Sequence, residues 1–303
     1  MSGVKSGFRH AVVATVAAIA LAACAPGQRA GVRSAPPALK LVTWNLEHLA
    51  EADGTGCRPR GESDYAALRS HVEKLNADVI AFEEVETARA AARVFSPDRY
   101  TIEFSERPMS ERHGPCNAKE PNGKTIRQQD VGFAIRKGVA YTRHADLREL
   151  GLGNPDLRWG VDVTISGKQP LRLLAVHLKS GCFDGDHASA CPVLQQQIPV
   201  LTSWVAGRVA EHTAFAVLGD WNRHIDSPGD ALWQALSQQA TLTSVTAGRH
   251  TDCEARFPEF IDHLVFDASA AKRIVADSFQ LYTYGVPEAE HPSDHCPVAV
   301  TLH

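Results

Sequence analysis

The chain ends in HPSDHCPVAVTLH (residues 291–303), where an apolar run that predicts a strand directly follows Ser293, Asp294 and His295. Ser and Asp are ordinary loop formers, so this tripeptide alone also fits a solvated turn. The acid and the imidazole point to a binding site only if other predicted strands carry similar residues at their ends.

Upstream of this stretch, predicted strands alternate with predicted helices. Helical spacing of apolar residues predicts a helix over residues 63–77 and another from Pro192, with Pro tolerated in the first turn. The strands are LKLVTWNL (39–46), DVIAFEEV (78–85), DVGFAIRKG (130–138), RWGVDVTI (158–165), PLRLLAVHLK (170–179), FAVLGD (215–220), FIDHLVFD (260–267), RIVADSFQLYTY (273–284) and CPVAVTL (296–302). With 44% hydrophobic and 22% charged residues, the 303-residue chain can bury a sizeable core and is not disordered. The pattern predicts one α/β domain with a mixed sheet.

Polar residues recur at the ends of these strands. Six strands show the feature, and the residues are Asn45, Glu83, Glu84, His177, Asp220, Asn222, Asp262, Asp294 and His295. Ligand sites in α/β folds collect at strand ends. We therefore expect these side chains to meet at one sheet edge.

The motifs that carry these residues resemble a known family. TWNLE, DVIAFEEVE, AVHLKS, LGDWNRH, FIDHLVFD and PSDHCPVAV resemble, in the right order over residues 39–303, the signatures of the endonuclease/exonuclease/phosphatase superfamily. The resemblance implies a four-layer α/β sandwich of two packed mixed β-sheets flanked by helices. It also implies hydrolysis of phosphoester bonds with Mg²⁺ or Mn²⁺ as cofactor.

The resemblance assigns metal ligands among the acids. Glu84 matches the family's metal carboxylate, with Asn45 beside it, and Asp294 is a second ligand or a water-mediated contact. A hard cation with oxygen ligands neutralises the charge that develops on a phosphodiester under attack. Glu83 stands where the family often has Gln. Side chains alternate along a strand, so we expect Glu83 on the other face in a structural role.

The resemblance also assigns the groups that handle water and phosphate. Asp220 matches the residue that orients or deprotonates the attacking water, and Asn222 matches the amide that holds the phosphate. His295 is expected to meet the scissile phosphate, with its imidazole oriented by Asp262. Two further matched positions contact phosphate in some members, and here they hold His177 and Arg158. Three other histidines are expected to be structural or peripheral: His48, His224 and His263.

The substrate is less closely specified. The leading hypothesis is a nuclease acting on DNA or RNA, and the alternative is a phosphatase or phosphodiesterase acting on a small or lipid phosphoester. A noncatalytic binding lipoprotein would be expected to lack Glu84, Asp220 or His295, and all three are present. Between Arg107 and Arg143, eight Lys and Arg residues stand against three acids, a basic excess that fits either a nucleic-acid backbone or a solvated loop. The sequence predicts no protein partner and a monomer.

The N-terminal residues predict export. Lys5 and Arg9 precede the apolar stretch AVVATVAAIALAA, which is too short to span a bilayer and has the order of a secretory signal over residues 1–23. It ends in Leu-Ala-Ala-Cys, which resembles the bacterial lipoprotein box with Cys24 lipidated; a plain signal peptide is the alternative. Residues 24–38 then read as a flexible tether to the domain at 39–303.

Two consequences follow from this processing. Ala25 after the cysteine implies, by the same resemblance, the outer membrane, with the domain facing the periplasm or the exterior. Cleavage leaves 29 basic against 35 acidic residues, a net charge of about −6, so a global positive field for nucleic acid is absent.

Six cysteines remain after Cys24, an even number that suggests disulfides in an exported protein. They allow 15 pairings, and the sequence alone does not choose among them. Free buried thiols or a cysteine cluster that binds zinc are the alternatives, although no CxxC spacing occurs. The positions of the family motifs favour Cys182 with Cys191 across a short loop and Cys253 with Cys296 beside the Asp262 and His295 segments. Cys57 and Cys116 then remain, both in long loops expected at the rim of the site.

Overall fold

A computed structural model of the chain describes residues 1–4, 7, 38–110, 114–116 and 123–303. The chain divides into Met1–Ala35 and Pro36–His303, and the architecture below is that of the second unit. Most of the predicted signal peptide, Cys24 and most of the predicted tether lie outside the described residues. None of the helices among the described residues has the length and apolar character needed to cross a membrane.

The described residues form twelve strands. In chain order these are β1 (Leu39–Leu49), β2 (Val79–Val85), β3 (Tyr100–Phe104), β4 (Asp130–Arg136), β5 (Tyr141–Arg143), β6 (Val161–Ile165), β7 (Leu171–His177), β8 (Phe215–Asp220), β9 (Leu242–Ser244), β10 (Asp262–Asp267), β11 (Gln280–Leu281) and β12 (Val298–Leu302). They build two six-stranded sheets, with spatial orders β11-β12-β1-β2-β4-β3 and β5-β6-β7-β8-β10-β9. Each sheet has one parallel pair, β1 with β2 and β7 with β8, and antiparallel neighbours elsewhere.

Helices cover the outer face of each sheet. Helix α1 (Glu62–Leu75) and α2 (Ala88–Val94) pack on the first sheet, and α3 (Cys191–Ala210) and α4 (Ala231–Ser237) pack on the second. A short helix, α5 (Ala268–Ala271), follows β10. Apolar side chains from the inner faces of both sheets form one core between them, for example Leu41, Val79, Phe133, Leu173, Leu218 and Leu264. The predicted four-layer α/β sandwich of two mixed sheets is therefore confirmed.

The structure changes one predicted strand. Only Gln280–Leu281 of the predicted strand 273–284 pairs as a strand, with β12. Asp277 has a left-handed backbone (φ +58°), and the chain on either side is held by hydrogen bonds from Val275 N to Thr301 O and from Ser278 N to Val275 O. β11 is the edge strand of its sheet. An edge strand has a neighbouring strand on one side only, so half of its backbone N–H and C=O groups have no strand to pair with, and an apolar run there can pack without forming a long strand.

The three predicted disulfides are confirmed. Cys57 pairs with Cys116, Cys182 with Cys191, and Cys253 with Cys296, with Cα–Cα distances of 5.3, 5.0 and 5.6 Å. These separations are ordinary for disulfides. The last two bridges fasten the loop after β7 and the loop before β10, and the first links the segment after β1 to the long segment before β4.

Candidate active site

Strand register places the predicted residues at matching ends of two sheets. In the first sheet Asn45 lies opposite Glu83, and in the second Asp220 lies opposite both His177 and Asp262. Asn45 Nδ2 donates to Asp220 Oδ2 at 3.0 Å and so joins the sheets. The prediction of a single sheet edge was therefore wrong. Two stacked sheets present their edges side by side, and the polar strand ends face one another across the gap.

One glycine lets the second sheet close around Asp220. Gly219 has φ +146°, and a Cβ built on it would lie 1.9 Å from the carbonyl oxygen of Val176 on the neighbouring strand. Residues with a side chain rarely adopt this backbone conformation. The Gly before Asp220 therefore permits the close approach of β7 and β8 that brings His177 beside Asp220.

The imidazole of His295 is held by Asp262. His295 Nδ1 lies 2.7 Å from Asp262 Oδ2, and the backbone N–H of His295 donates to Ser293 Oγ at 3.1 Å. Burial opposes protonation of the ring, but the carboxylates of Asp262, Asp220 and Asp294 outweigh it and raise the pKa of His295 well above its usual value. Nδ1 is thus the bonded nitrogen, and Nε2 faces away from Asp262, 3.8 Å from Asp294 Oδ1.

Asp220 is a buried carboxylate bonded on both oxygens. Its Oδ1 accepts from the backbone N–H of Asn222 at 2.8 Å, and its Oδ2 accepts from Asn45. His177 Nε2 lies 3.5 Å from the same Oδ2. Burial, with repulsion from Asp262 and Glu84, raises the pKa of Asp220 to about 7, against the attraction of His295. Asp220 therefore exchanges a proton near neutrality.

Glu84 sits on an irregularity in β2. Its backbone is left-handed (φ +59°), and the pairing of β2 with both β1 and β4 shifts register between Phe82 and Val85. Glu84 Oε2 accepts from the backbone N–H of His48 at 3.0 Å, and Oε1 lies 3.8 Å from His177 Nε2, beyond hydrogen-bond distance. Burial opposes ionisation, but His48, His295 and Arg158 lower the pKa of Glu84, so it is ionised.

The same irregularity corrects the prediction for Glu83. Strict alternation would point Glu83 away from the site, whereas its carboxyl lies close enough to Asp262 and Asp220 to be repelled by both. Burial is the larger cause, and together they raise the pKa of Glu83 well above its usual range. Oε1 accepts from Thr43 Oγ1 at 3.1 Å, and Oε2 has no hydrogen-bond partner. Glu83 is thus a buried acid beneath the site.

His177 and Arg158 form the side of the site contributed by the β6 and β7 segments. Burial, with the positive charge of Arg158, lowers the pKa of His177 well below its usual value, so the ring is neutral. Its Nδ1 is buried and has no hydrogen-bond partner among the described residues. Arg158 is buried and donates to the carbonyl oxygens of His177 at 3.2 Å and Leu178 at 2.6 Å. No carboxylate within the described part of the chain lies in ion-pair contact with Arg158, although Glu84 and Asp220 are close enough to interact with its charge.

Backbone strain concentrates at this site. Asn222 has φ +50°, and its side-chain Nδ2 donates to Leu178 O at 3.3 Å. Glu47, His48 and Glu84 also have left-handed backbones. Non-glycine residues in this region cost energy and cluster at functional sites when the surrounding structure imposes them.

Sequence reasoning missed two residues next to the motifs. His48 was expected to be peripheral, but its Nδ1 lies 3.7 Å from Glu84 Oε2. Glu47 Oε2 accepts from the backbone N–H of Asp294 at 2.8 Å and pairs with Arg58. Both directly follow Asn45 and Leu46, and the left-handed turn that brings them to the site carries no glycine or proline as a signal. Of the other two histidines, His263 is buried against Thr246 and Arg223, and His224 lies on a loop beyond Asn222.

The basic excess of residues 107–143 is largely neutralised inside the fold. Arg107 forms a buried pair with Asp130 at 2.6 Å, and Arg127 pairs with Glu86 at 2.6 Å. Arg136 pairs with Asp78, and Arg143 with Asp146 and Glu103. Neither of the two interpretations of this excess, a nucleic-acid backbone or a solvated loop, describes these four arginines, because each forms an ion pair with an acid of the fold: Asp130 within the segment, and Glu86, Asp78, Glu103 and Asp146 outside it.

The donor set fits a hard divalent cation. Asp262 Oδ1 and Glu83 Oε2 are buried without partners, and Glu84 Oε1 makes no hydrogen bond within the described residues. The Asp294 side chain is 43% exposed. Its partial burial, together with repulsion from the carboxylates of Glu47 and Glu84, raises the pKa of Asp294. Carboxylates this close favour a cation between them. Among the described residues, one group brings three ligand atoms within 4.8 Å of one another: Asp220, Asp262 and His295.

The predicted ligand Asn45 is already engaged. Its Oδ1 accepts from the backbone N–H of Glu47 at 2.9 Å, and its Nδ2 donates to Asp220. A carbonyl oxygen has two lone pairs, so one remains for a cation. The observed role of Asn45 is to orient Asp220.

Comparisons with known proteins agree with this arrangement. Residues 42–295 match the model of the Endonuclease/Exonuclease/phosphatase family. No curated protein sequence matches the chain. At sequence identities this low, the similar solved structures show the fold alone. They include the AP endonuclease LMAP from Leishmania major (TM-score 0.60, 16% identity, 88% of this chain and 88% of that chain), the 3′ phosphatase NExo from Neisseria bound to a product DNA hairpin (0.58, 18%, 88% and 99%) and the human Nocturnin catalytic domain (0.59, 16%, 88% and 94%).

Proposed function

The chain belongs to the endonuclease/exonuclease/phosphatase family, and from this premise we propose that it is a metal-dependent nuclease that acts on DNA or RNA outside the cytoplasm. Hydrolysis of phosphoester bonds follows from the family. The observation that carries the proposal is the Asp220, Asp262 and His295 cluster, in which a proton-accepting carboxylate and a protonated imidazole lie within 4.8 Å of each other. Such a pair serves the two ends of a displacement at phosphorus.

His295 supplies the positive charge for the phosphate. Asp262 fixes Nδ1 and keeps the ring protonated, so Nε2–H is left to donate to a phosphate oxygen. A donor held in place before the reaction stabilises developing charge without reorganisation. Arg158, which donates hydrogen bonds to the carbonyl oxygens of His177 and Leu178 and interacts electrostatically with Glu84 and Asp220, adds a second cation beside the site.

Asp220 takes the proton from the attacking water. The hydrogen bonds from Asn45 and Asn222 fix the plane of its carboxylate, and a pKa of about 7 makes it an effective base near neutral pH. Neutral His177 beside it keeps the site dry without competing for the proton. These residues perform the proton transfers.

Glu84, Asp294 and the remaining lone pair of Asn45 Oδ1 would hold the Mg²⁺ or Mn²⁺. When bound, the cation supplies Lewis-acid stabilisation of the charge on the phosphoryl oxygens. Glu84 is suited to this because its Oε1 is unbonded while His48 N–H fixes Oε2.

Nucleic acid is the proposed substrate because the residues around the cluster offer polar and cationic groups, and because similar folds include a protein bound to DNA. A panel of substrates tests this. We expect the polypeptide of residues 25–303 to hydrolyse DNA or RNA with Mg²⁺, to stop with a chelator, and to leave sphingomyelin and phosphoinositides intact. The His295→Ala variant, purified identically, controls for contaminating nucleases. Hydrolysis confined to a lipid or inositol phosphoester would overturn the substrate and favour the alternative.

Export with a lipid anchor at Cys24 completes the proposal. Three disulfides support an oxidising compartment. Diacylation with N-acylation would provide more than one hydrophobic anchor and hence stable attachment. We expect the full chain, expressed in a bacterium with a lipoprotein pathway, to incorporate labelled fatty acid, and Cys24→Ser to abolish the label. If the unaltered chain takes up no label, a soluble periplasmic form replaces the anchored one.

A further inference from the structure

Two loops beyond the Asp220–Asp262 pair enclose a cavity. Because β8 and β10 are antiparallel and these two aspartates lie opposite each other, residues after Asp220 and residues before Asp262 emerge at the same edge. Between them is a cavity of about 220 Å³, lined on one side by His224, Asp226 and Ser227 and on the other by Arg249, His250 and Glu259, with Phe260 at its base. None of these residues has a part in the proposed chemistry.

The lining has both signs of charge. Arg249 and two imidazoles face two carboxylates, Asp226 and Glu259, so the cavity offers donors and acceptors together. A phosphate would be repelled by the acids, whereas a neutral heterocycle with donor and acceptor edges would be satisfied by the mixture. Nucleobases have such edges: carboxylates accept from their amino groups, and Arg donates to their ring nitrogen and carbonyl acceptors. The cavity is also smaller than a drug-sized site, which suits a single flat ring system.

An exposed aromatic stands at the rim of the cavity. Phe183 is 41% exposed and is stacked on His224, with ring centroids 6.0 Å apart and planes inclined by 28°. Stacking of an unpaired base on an exposed aromatic ring is a common mode of single-strand binding. The facing loop carries Phe257, which is 58% exposed and has the guanidinium of Arg256 4.7 Å from its ring centroid.

The stacked pair is held rigidly. Asp184 accepts from Ser227 Oγ at 2.8 Å and contacts His224 Nδ1 at 2.8 Å, and His224 N–H donates to Phe183 O at 2.9 Å. The buried guanidinium of Arg223 donates to Cys182 O at 2.9 Å, and Cys182 is bridged to Cys191. A loop fixed by so many contacts loses little entropy when it binds, so its exposed ring is preorganised.

The Phe183–His224 pair also lies next to the position proposed for the cleaved phosphodiester. His224 follows Asn222 by two residues, a span of at most about 7 Å. Asn222 is itself bonded to Asp220 and to the segment after His177. A nucleotide whose phosphate lies at His295 and Asn222 would therefore place a neighbouring base at Phe183.

We propose that the Phe183–His224 pair and the adjoining cavity form a nucleobase subsite for the unpaired nucleotide next to the cleaved phosphodiester. The inference rests on the proposed nuclease function and specifies its substrate: single-stranded nucleic acid or a frayed end, because a base that stacks there cannot also be paired.

Phe183→Ala tests the subsite. Equilibrium binding of a short fluorescent single-stranded DNA to the full chain is measured in chelator, where no turnover occurs, beside a second oligonucleotide whose central nucleotides are abasic. Loss of one base stack is worth about 1–3 kcal/mol, so Kd for the normal oligonucleotide should rise on the order of tenfold. Kd for the abasic one should not change. Val209→Ala is the matched control, because Val209 is equally exposed at 41% but lies at the C-terminal end of α3, on a different surface.

The outcomes separate the subsite from the proposed function. An equal change in Kd for both oligonucleotides, or none for either, would overturn the subsite while leaving cleavage in the substrate panel to stand. Base-dependent binding by a protein that cleaves no nucleic acid would keep the subsite and overturn the nuclease. Phe183→Trp is the rescue variant: it keeps a ring at this position and should bind the normal oligonucleotide at least as tightly as the unaltered chain does.

Discussion

The His295→Ala variant is expected to lose about three orders of magnitude in kcat/KM on single-stranded DNA, with little change in KM. A group that acts as a positioned acid typically contributes 10²–10⁴-fold. His295 is the ring that buried carboxylates keep protonated, and removing it also leaves Asp262 as a buried carboxylate with neither oxygen bonded. The measurement is steady-state kinetics together with circular dichroism. Near-full activity in a variant with an intact spectrum would contradict the role of His295.

The Asp262→Asn variant should show a milder form of the His295→Ala defect. The Asp262 carboxylate is the first of the interactions that raise the pKa of His295 against burial, so removing its charge lowers that pKa. The protonated ring is the active form, so activity is lost as pH rises through the His295 pKa, and in Asp262→Asn this alkaline limb should lie at lower pH. A purely structural role for Asp262 would reduce activity at every pH and leave the limb in place.

Much of the candidate site was predictable because its residues lie at strand ends within recognisable motifs. Asp220 and Asn222, Asp262 and His295 each sit at or beside the end of a strand whose apolar pattern is clear. Register places Asp262 opposite Asp220, and His295, which precedes β12 of the other sheet, contacts Asp262 through its side chain. The disulfides followed from the same placement, since Cys253 and Cys296 flank the two segments joined by the Asp262–His295 contact. The family motifs therefore predicted a contact between the two sheets that local pattern alone does not show.

The errors arose where the backbone departs from regular geometry. Alternation assigns Glu83 to the far face, but the left-handed Glu84 and the register shift around it bring both acids to the site. A Glu in this conformation carries no sequence signal, unlike a Gly. His48 was missed for the same reason, and a charge count over residues 107–143 could not show that Arg107 and Arg127 form ion pairs with Asp130 and Glu86.

The link between the sheets was also beyond sequence reasoning. The hydrogen bond from Asn45 to Asp220 joins residues 175 positions apart, and no periodicity states which strands of two sheets face each other. This bond determines the chemistry, because it takes one lone pair of the Asp220 carboxylate and gives Asn45 an orienting role in addition to its expected one as a metal ligand. Packing between layers therefore decided what each motif residue does.

The Asp220→Ala variant should show the other large loss, about 10³-fold in kcat, because it removes the group that accepts the proton of the attacking water. The role of Asp220 should be visible in the acid limb of the pH–rate profile, the range in which activity rises with pH. Burial raises the pKa of Asp220 to about 7, and the ionised form is active, so activity of the unaltered chain should rise with pH up to about 7. A bound cation would move this limb to lower pH, since positive charge favours the carboxylate.

In Asp220→Ala the acid limb should disappear, and the residual rate should be flat from pH 5 to about pH 7, because the group that accepts the proton of the attacking water is gone. Asp98→Ala is the matched control: it removes an exposed aspartate in the turn before β3 and should retain both the rate and the limb. The pH–rate profiles of the three proteins, each checked by its thermal melting curve, decide the assignment. An acid limb that persists unchanged in Asp220→Ala would mean that another group, with Glu83 and Asp294 the nearest raised carboxyls, accepts the proton.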